Sequence, residues 1–155
     1  MSAHGRSTVD VPATRPAWRW LGLVGFVLGI VASPALVEAQ TTTRVSVATG
    51  GIQSAGNAWF ATLSADGRYV AFESDAGDLV AGDTNGVADV FLHDRRTSTT
   101  TRVSVSSAGA QGTADSEEPA VSADARLVAF SSNAPNLVAG DTNGASWRSA
   151  HDTGW

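Results

Sequence analysis

From Gln40 onward no stretch shows helical periodicity over a useful length, and the best-defined segment alternates apolar and polar positions at a period of two. Arg68-Tyr69-Val70-Ala71-Phe72-Glu73-Ser74 puts Tyr69, Ala71 and Glu73 on one face and Arg68, Val70, Phe72 and Ser74 on the other, as a strand does. Before it, Trp59 to Ser64 is rich in residues that suit strands, and Ala65-Asp66-Gly67 supplies turn chemistry. After it, a long connection from Asp75 to Ala88 leads to a third strand, Asp89 to His93. A polar turn, Asp94 to Ser98, then precedes a fourth strand, Thr99 to Val105, which is dense in β-branched residues.

This four-strand pattern recurs without a gap. Gly82-Asp83-Thr84-Asn85-Gly86 returns unchanged 58 residues on, as Gly140 to Gly144. Thr41-Thr42-Thr43-Arg44-Val45-Ser46-Val47 returns at the same offset as Thr99 to Val105, Ser64-Ala65-Asp66 as Ser122 to Asp124, and Val70-Ala71-Phe72 as Val128 to Phe130. A fixed period of this kind predicts stacked units, each burying an apolar face against the next. The second unit carries Ala125 in place of Gly67, and it loses the pattern at Trp147-Arg148-Ser149-Ala150, which stands where Asp89-Val90-Phe91-Leu92 stood. His151-Asp152 still falls in register with His93-Asp94. The tail is expected to be the degraded end of a frameshifted or truncated gene, with in-register substitution as the rival reading.

Ser64-Ala65-Asp66-Gly67-Arg68-Tyr69-Val70-Ala71-Phe72-Glu73-Ser74 followed by Asp89-Val90-Phe91-Leu92-His93-Asp94 resembles the β-propeller repeat of the TolB type, over Gln40 to about Gly144. The resemblance implies an all-β fold of four-stranded antiparallel β-propeller blades in an extracytoplasmic protein. Two departures qualify it. The period exceeds the roughly 40–45 residues of common blades, and about two blades are present where propellers use about four to eight. The expected architecture is an incomplete propeller: residues 40–105 form the strand Thr41–Val47 plus a first blade, and residues 106–155 form a second, C-terminally degraded blade. Two such blades leave apolar faces open, lined by Val70, Phe72, Val128 and Phe130. The chain is therefore expected to associate, completing a propeller between protomers.

Residues 1–39 read as a signal peptide. Arg6, Arg15 and Arg19 precede the apolar run Leu21 to Ala32, and Val37 and Ala39 stand at the −3 and −1 positions before Gln40. The run is shorter than the roughly 20 residues of a comfortable membrane span. Cleavage predicts a periplasmic or secreted protein; the rival is an uncleaved anchor, the one route to a membrane. From Gln40 on there are seven Arg, no Lys and 13 acidic residues, a balance that argues against nucleic acid. The absence of cysteine excludes disulfides, thiolate metal sites and a lipidated cysteine after the cleavage point.

Candidate chemistry is sparse. Asp83, Asn85 and Asp89 place three side-chain oxygens on a loop with Gly86 at its bend, and Asp78 lies upstream. Calcium, which takes six to eight oxygens, is one reading; Asx residues bonding their own turn is the other. The second copy is poorer, with Trp147 at the position of Asp89. His93-Asp94 and His151-Asp152 are expected at strand ends, and the adjacent Glu117 and Glu118 should face opposite sides of a strand. Trp59 is expected in a blade core. No nucleophile elbow or paired zinc histidines appear. The sequence thus favours an exported, non-enzymatic module binding a protein or cell-surface partner. The alternatives are a propeller fragment of a hydrolase or enzyme accessory, and a truncated product without activity.

Overall fold

The computed structural model describes residues 40–142 and 146–154, and these form seven strands and no helix. β1 (Ala58–Leu63), β2 (Tyr69–Ser74), β3 (Asp89–Asp94) and β4 (Thr99–Arg102) make a four-stranded antiparallel sheet in chain order. β5 (Ser116–Val121), β6 (Leu127–Ser132) and β7 (Trp147–Asp152) make a three-stranded one. The repeat is visible in the pairing. Val70 opposes Leu63 and His93 in the first sheet, and Val128 opposes Val121 and His151 in the second. Both outer hairpins also break register at the same place, between Trp59 and Thr62 and between Glu117 and Ala120. Each break holds a residue at positive φ, Phe60 and Glu118, as a bulge requires.

The Ser-Ala-Asp turns are built alike. Ser64 Oγ donates to Asp66 Oδ1 at 2.6 Å and accepts from Tyr69 N at 3.0 Å, while Arg68 N donates to Asp66 Oδ1 at 3.0 Å. Ser122, Asp124, Arg126 and Leu127 repeat the set at 2.6, 3.1 and 2.9 Å. The serine hydroxyl and aspartate thus satisfy the donors that the tight turn leaves behind.

The sheets pack face to face, with β5 against β1, β2 and β3. Tyr69, Ala71, Val90 and Leu92 of the first sheet join Val128 and Phe130 of the second in one cluster. The two copies therefore use opposite faces: the Tyr69-Ala71 side of the first meets the Val128-Phe130 side of the second. On the other face of the first sheet, Phe72 stacks on Phe91 with centroids 5.8 Å apart, closed over by Ala76 and Leu79. Val70, Phe72, Val128 and Phe130 are consequently all buried, which corrects the expectation that they line open faces. The long connection folds back over one side, and the neighbouring copy covers the other. Glu73 is buried at the junction of the sheets and accepts from Glu118 N at 3.3 Å. Burial, with Glu117, Asp115 and Glu118 nearby, raises its pKa.

Two local expectations differ from the fold. Thr41–Val47 forms no strand; Val47 alone bridges Gln53, and Thr41 to Arg44 are exposed. The same heptad is a strand at Thr99 because β3 offers an edge there, so the partner decides and not the residue types. Conversely, Trp147–Asp152 pairs with β6 along all six residues despite its lost alternation. Main-chain pairing needs no particular side chain, and β6 presents an edge in the right place.

Gly67 and Ala125 occupy the same turn position at φ 68° and 60°. A side chain there costs about 1–2 kcal/mol of backbone strain. In the second copy the methyl of Ala125 is wholly buried in the inter-sheet cluster, an offset of about 0.8 kcal/mol. Gly67 has no such packing to gain, its nearest atoms being Arg95 Nη1 and Leu63 Cδ2 at 3.8 and 3.9 Å. Gly67→Ala is expected to cost about 1 kcal/mol and Ala125→Gly to be near neutral, as measured by urea unfolding.

Candidate functional site

Asp83, Asn85 and Asp89 do come together, around a residue that the sequence reading missed. Arg102, on β4, points a single nitrogen at both acids: Nη1 lies 3.0 Å from Asp83 Oδ1 and 3.1 Å from Asp89 Oδ2. All three side chains are nearly inaccessible to water. Asp89 Oδ1 also accepts from Ser104 Oγ at 2.5 Å, and its Oδ2 accepts from Asn85 Nδ2 at 2.8 Å. Asn85 turns its amide nitrogen inward, donating as well to Gly112 O at 2.9 Å, while its Oδ1 accepts from Val87 N at 3.3 Å. Gly86 sits at φ 68° in this bend.

This donor set does not fit a calcium ion. A cation site needs converging free oxygens; here a guanidinium supplies the positive charge, and the asparagine presents hydrogens. Asp78 lies elsewhere, accepting from Ser54 Oγ at 2.6 Å and Ala55 N at 3.1 Å. Among the described residues no cluster of three or more His, Asp or Glu side chains is arranged to hold a metal. Burial raises the pKa of Asp83, with Arg102 pulling the other way and Asp89 adding to the rise. The loop is an ionic clamp that ties the long connection to β4 and the segment after it. Asn143, the second copy's counterpart of Asn85, lies outside the described residues. The signal for Arg102 was present in the repeat, since Arg-Val-Ser recurs in both threonine-rich heptads.

His93 is buried, and its Nδ1 lies 2.8 Å from Thr100 Oγ1. That hydroxyl spends its one proton on Val47 O at 2.5 Å, so His93 Nδ1 must carry the hydrogen of the shared bond. Burial lowers the pKa of His93. His93 and Thr100 are both about 4% exposed, and His93 lies at the floor of a cleft shared with Val47, Gln53 and Arg95. Asp94 instead binds Arg68 with both oxygens, Nε at 3.0 Å and Nη2 at 2.6 Å. This fork holds its carboxyl far below the usual range. Glu118, lifted by the bulge, reaches outward to Arg148 Nη2 at 3.2 Å.

The remaining candidate is an apolar surface. β1 is an edge strand, and its bulge leaves Trp59 42%, Phe60 65% and Leu63 58% exposed. Trp59 is therefore not a core residue: the bulge around Phe60 breaks the alternation that would have turned it inward.

Removing the guanidinium leaves two carboxylates buried together, at a cost of about 3–5 kcal/mol. Arg102→Ala is expected to lower the unfolding midpoint accordingly, while 10 mM calcium leaves the wild-type melt unmoved; paired thermal melts check both. Because folding lowers the pKa of Asp94, its contribution is complete above the ordinary carboxyl value of about 4 and is lost as pH falls below it. Urea melts from pH 5 to 2.5 should show wild type losing its advantage over Asp94→Asn. Comparison with protein-family models, curated proteins and solved structures found no match.

Proposed function

We propose that this chain is an exported, non-enzymatic repeat module of the β-propeller type, and that β1 docks a protein or cell-surface partner. The exposed aromatic edge carries the reading. Trp59 and Phe60 stand on a bulged outer strand, and aromatic residues of this kind dominate binding energy when a partner desolvates them. The equivalent stretch of β5 holds Glu117 and Glu118 in their place, so the fold itself does not require the aromatics. The repeat supports the blade interpretation: two sheets with equivalent strands, turns and bulges, stacked through opposite faces. A non-enzymatic role agrees with acids committed to arginines and a histidine whose Nδ1 is engaged by Thr100.

Binding of the full chain to the cell-envelope fraction of its native host is the test, with Trp59→Ala/Phe60→Ala beside wild type. The double variant should bind at least tenfold more weakly, since each lost aromatic anchor is worth about 1–2 kcal/mol or more. Its melting temperature should be little changed, because both side chains are already exposed. Equal binding by the two proteins would refute the assignment of β1.

A further inference from the structure

The seat of β4 in the first sheet has two walls. On one side lies β3, with Phe91 opposite Arg102, Leu92 opposite Thr101, His93 opposite Thr100 and Asp94 opposite Thr99. On the other lies the turn that begins at Val47. Gly50 N donates to Ser98 O at 2.8 Å, Thr100 N to Thr49 Oγ1 at 3.1 Å, and Thr100 Oγ1 to Val47 O at 2.5 Å.

Both walls recur in the second copy, and no described strand lies between them. β7 is the counterpart of β3 and keeps His151-Asp152 where His93-Asp94 stand. The turn from Val105 repeats the turn from Val47: Val105 bridges Gln111 as Val47 bridges Gln53, and Ser106 N donates to Ala110 O as Ala48 N does to Ile52 O, both at 2.8 Å. Between them is an open groove lined by Val105, Ser106, Ser107, Ser149, Ala150 and His151. Among the described residues β7 pairs with β6 alone.

We infer that this groove receives Thr41–Val47 of a second copy of the chain, which adds itself to β7 as an antiparallel strand. The heptad is identical to Thr99–Val105, the segment that fills the equivalent seat, and Thr41 to Arg44 are exposed and outside any strand. In the register of the first sheet, Thr41 faces Asp152, Thr42 faces His151, Thr43 faces Ala150 and Arg44 faces Ser149. Thr42 then joins His151 to the carbonyl of Val105, as Thr100 joins His93 to that of Val47. Arg44 approaches Asp141, the counterpart of the Asp83 that binds Arg102. Trp147 replaces the second acid of that clamp, so the added strand is held less tightly than β4.

The donor belongs to another molecule because of where Val47 sits. Thr100 ties it to the His93 side of the first sheet, and His93 pairs with Val70. The second sheet covers the opposite side, that of Ala71 and Leu92. The first sheet therefore stands between its own N-terminal segment and β7. The contact is head-to-tail, so it closes into a ring or continues as a filament. It is independent of the role proposed for β1.

The natural chain lacks cysteine, which makes a disulfide diagnostic. Full-length Thr41→Cys and Asp152→Cys variants, both changed at exposed positions, are mixed and mildly oxidised. A linked pair containing one of each is expected, while either variant alone gives none. Excess free peptide of the sequence Thr41–Val47 should reduce its yield, and Thr43→Pro, introduced into the Thr41→Cys partner, should reduce it at least tenfold by removing a ladder donor, since Thr43 is the counterpart of Thr101. No linked pair from two folded variants would overturn the inference. So would an intrachain disulfide as the sole product of the Thr41→Cys/Asp152→Cys double variant.

Discussion

The buried charge of Arg102 is the constraint around which the first repeat is arranged. One nitrogen satisfies two carboxylates from a connection that has no regular structure of its own. Either acid without the guanidinium would be a buried carboxylate lacking its partner, which is far costlier than a paired one. With the guanidinium in place, the connection can fold back and close Leu79 and Ala76 over the Phe72-Phe91 stack. The clamp thus turns a loop into part of the core. Its orientation also places Asn85 where it can bond Gly112, on the segment leading into the second sheet.

Face-to-face stacking of the two sheets explains the unequal burial of equivalent residues. Tyr69 and Ala71 are buried, whereas their counterparts Leu127 and Ala129 are exposed, since nothing described lies beyond the second sheet on that side. Opposite β6, Arg148 and Ala150 replace the Val90 and Leu92 that the first sheet sends into the cluster. The outward face of the second sheet is mixed, with Leu127 and Ala129 exposed beside Arg148, which pairs with Glu118 at the surface. The edge of this sheet, where main-chain groups remain available, is a more selective place for contact.

Much of this fold was legible because turns and alternation are local. Ser64-Ala65-Asp66-Gly67 announces its turn through side chains that bond within five residues, and β2 follows the period-two pattern to its last residue. What depended on distant partners was not legible. Thr41–Val47 and Thr99–Val105 are identical, yet one is a strand in part and the other is not. β7 keeps only His151-Asp152 of the repeat and no alternation, and it forms because β6 supplies an edge. The Asp83 loop left calcium and Asx capping both open; Asn85 does accept from Val87 N, and the positive charge beside the two acids is a side chain from the fourth strand. A spacing of carboxylates shows that positive charge is needed and leaves open where it comes from.

The braces between successive segments also bear on how such a chain can be duplicated. Ala88 N binds Asp115 Oδ1, Asn85 binds the carbonyl of Gly112, and Thr84 exchanges bonds with Gln111. Every one of these partners lies past β4, on the way to the following sheet. The stretch that folds as one sheet is therefore out of phase with the stretch that must be inherited together. A recombination event cutting cleanly at the ends of β1 and β4 would deliver four strands and abandon the supports of their longest loop. One cutting just after Asp115, by contrast, would keep every brace inside the copied stretch, so the natural boundary of the unit falls immediately before β5 and not at the end of β4.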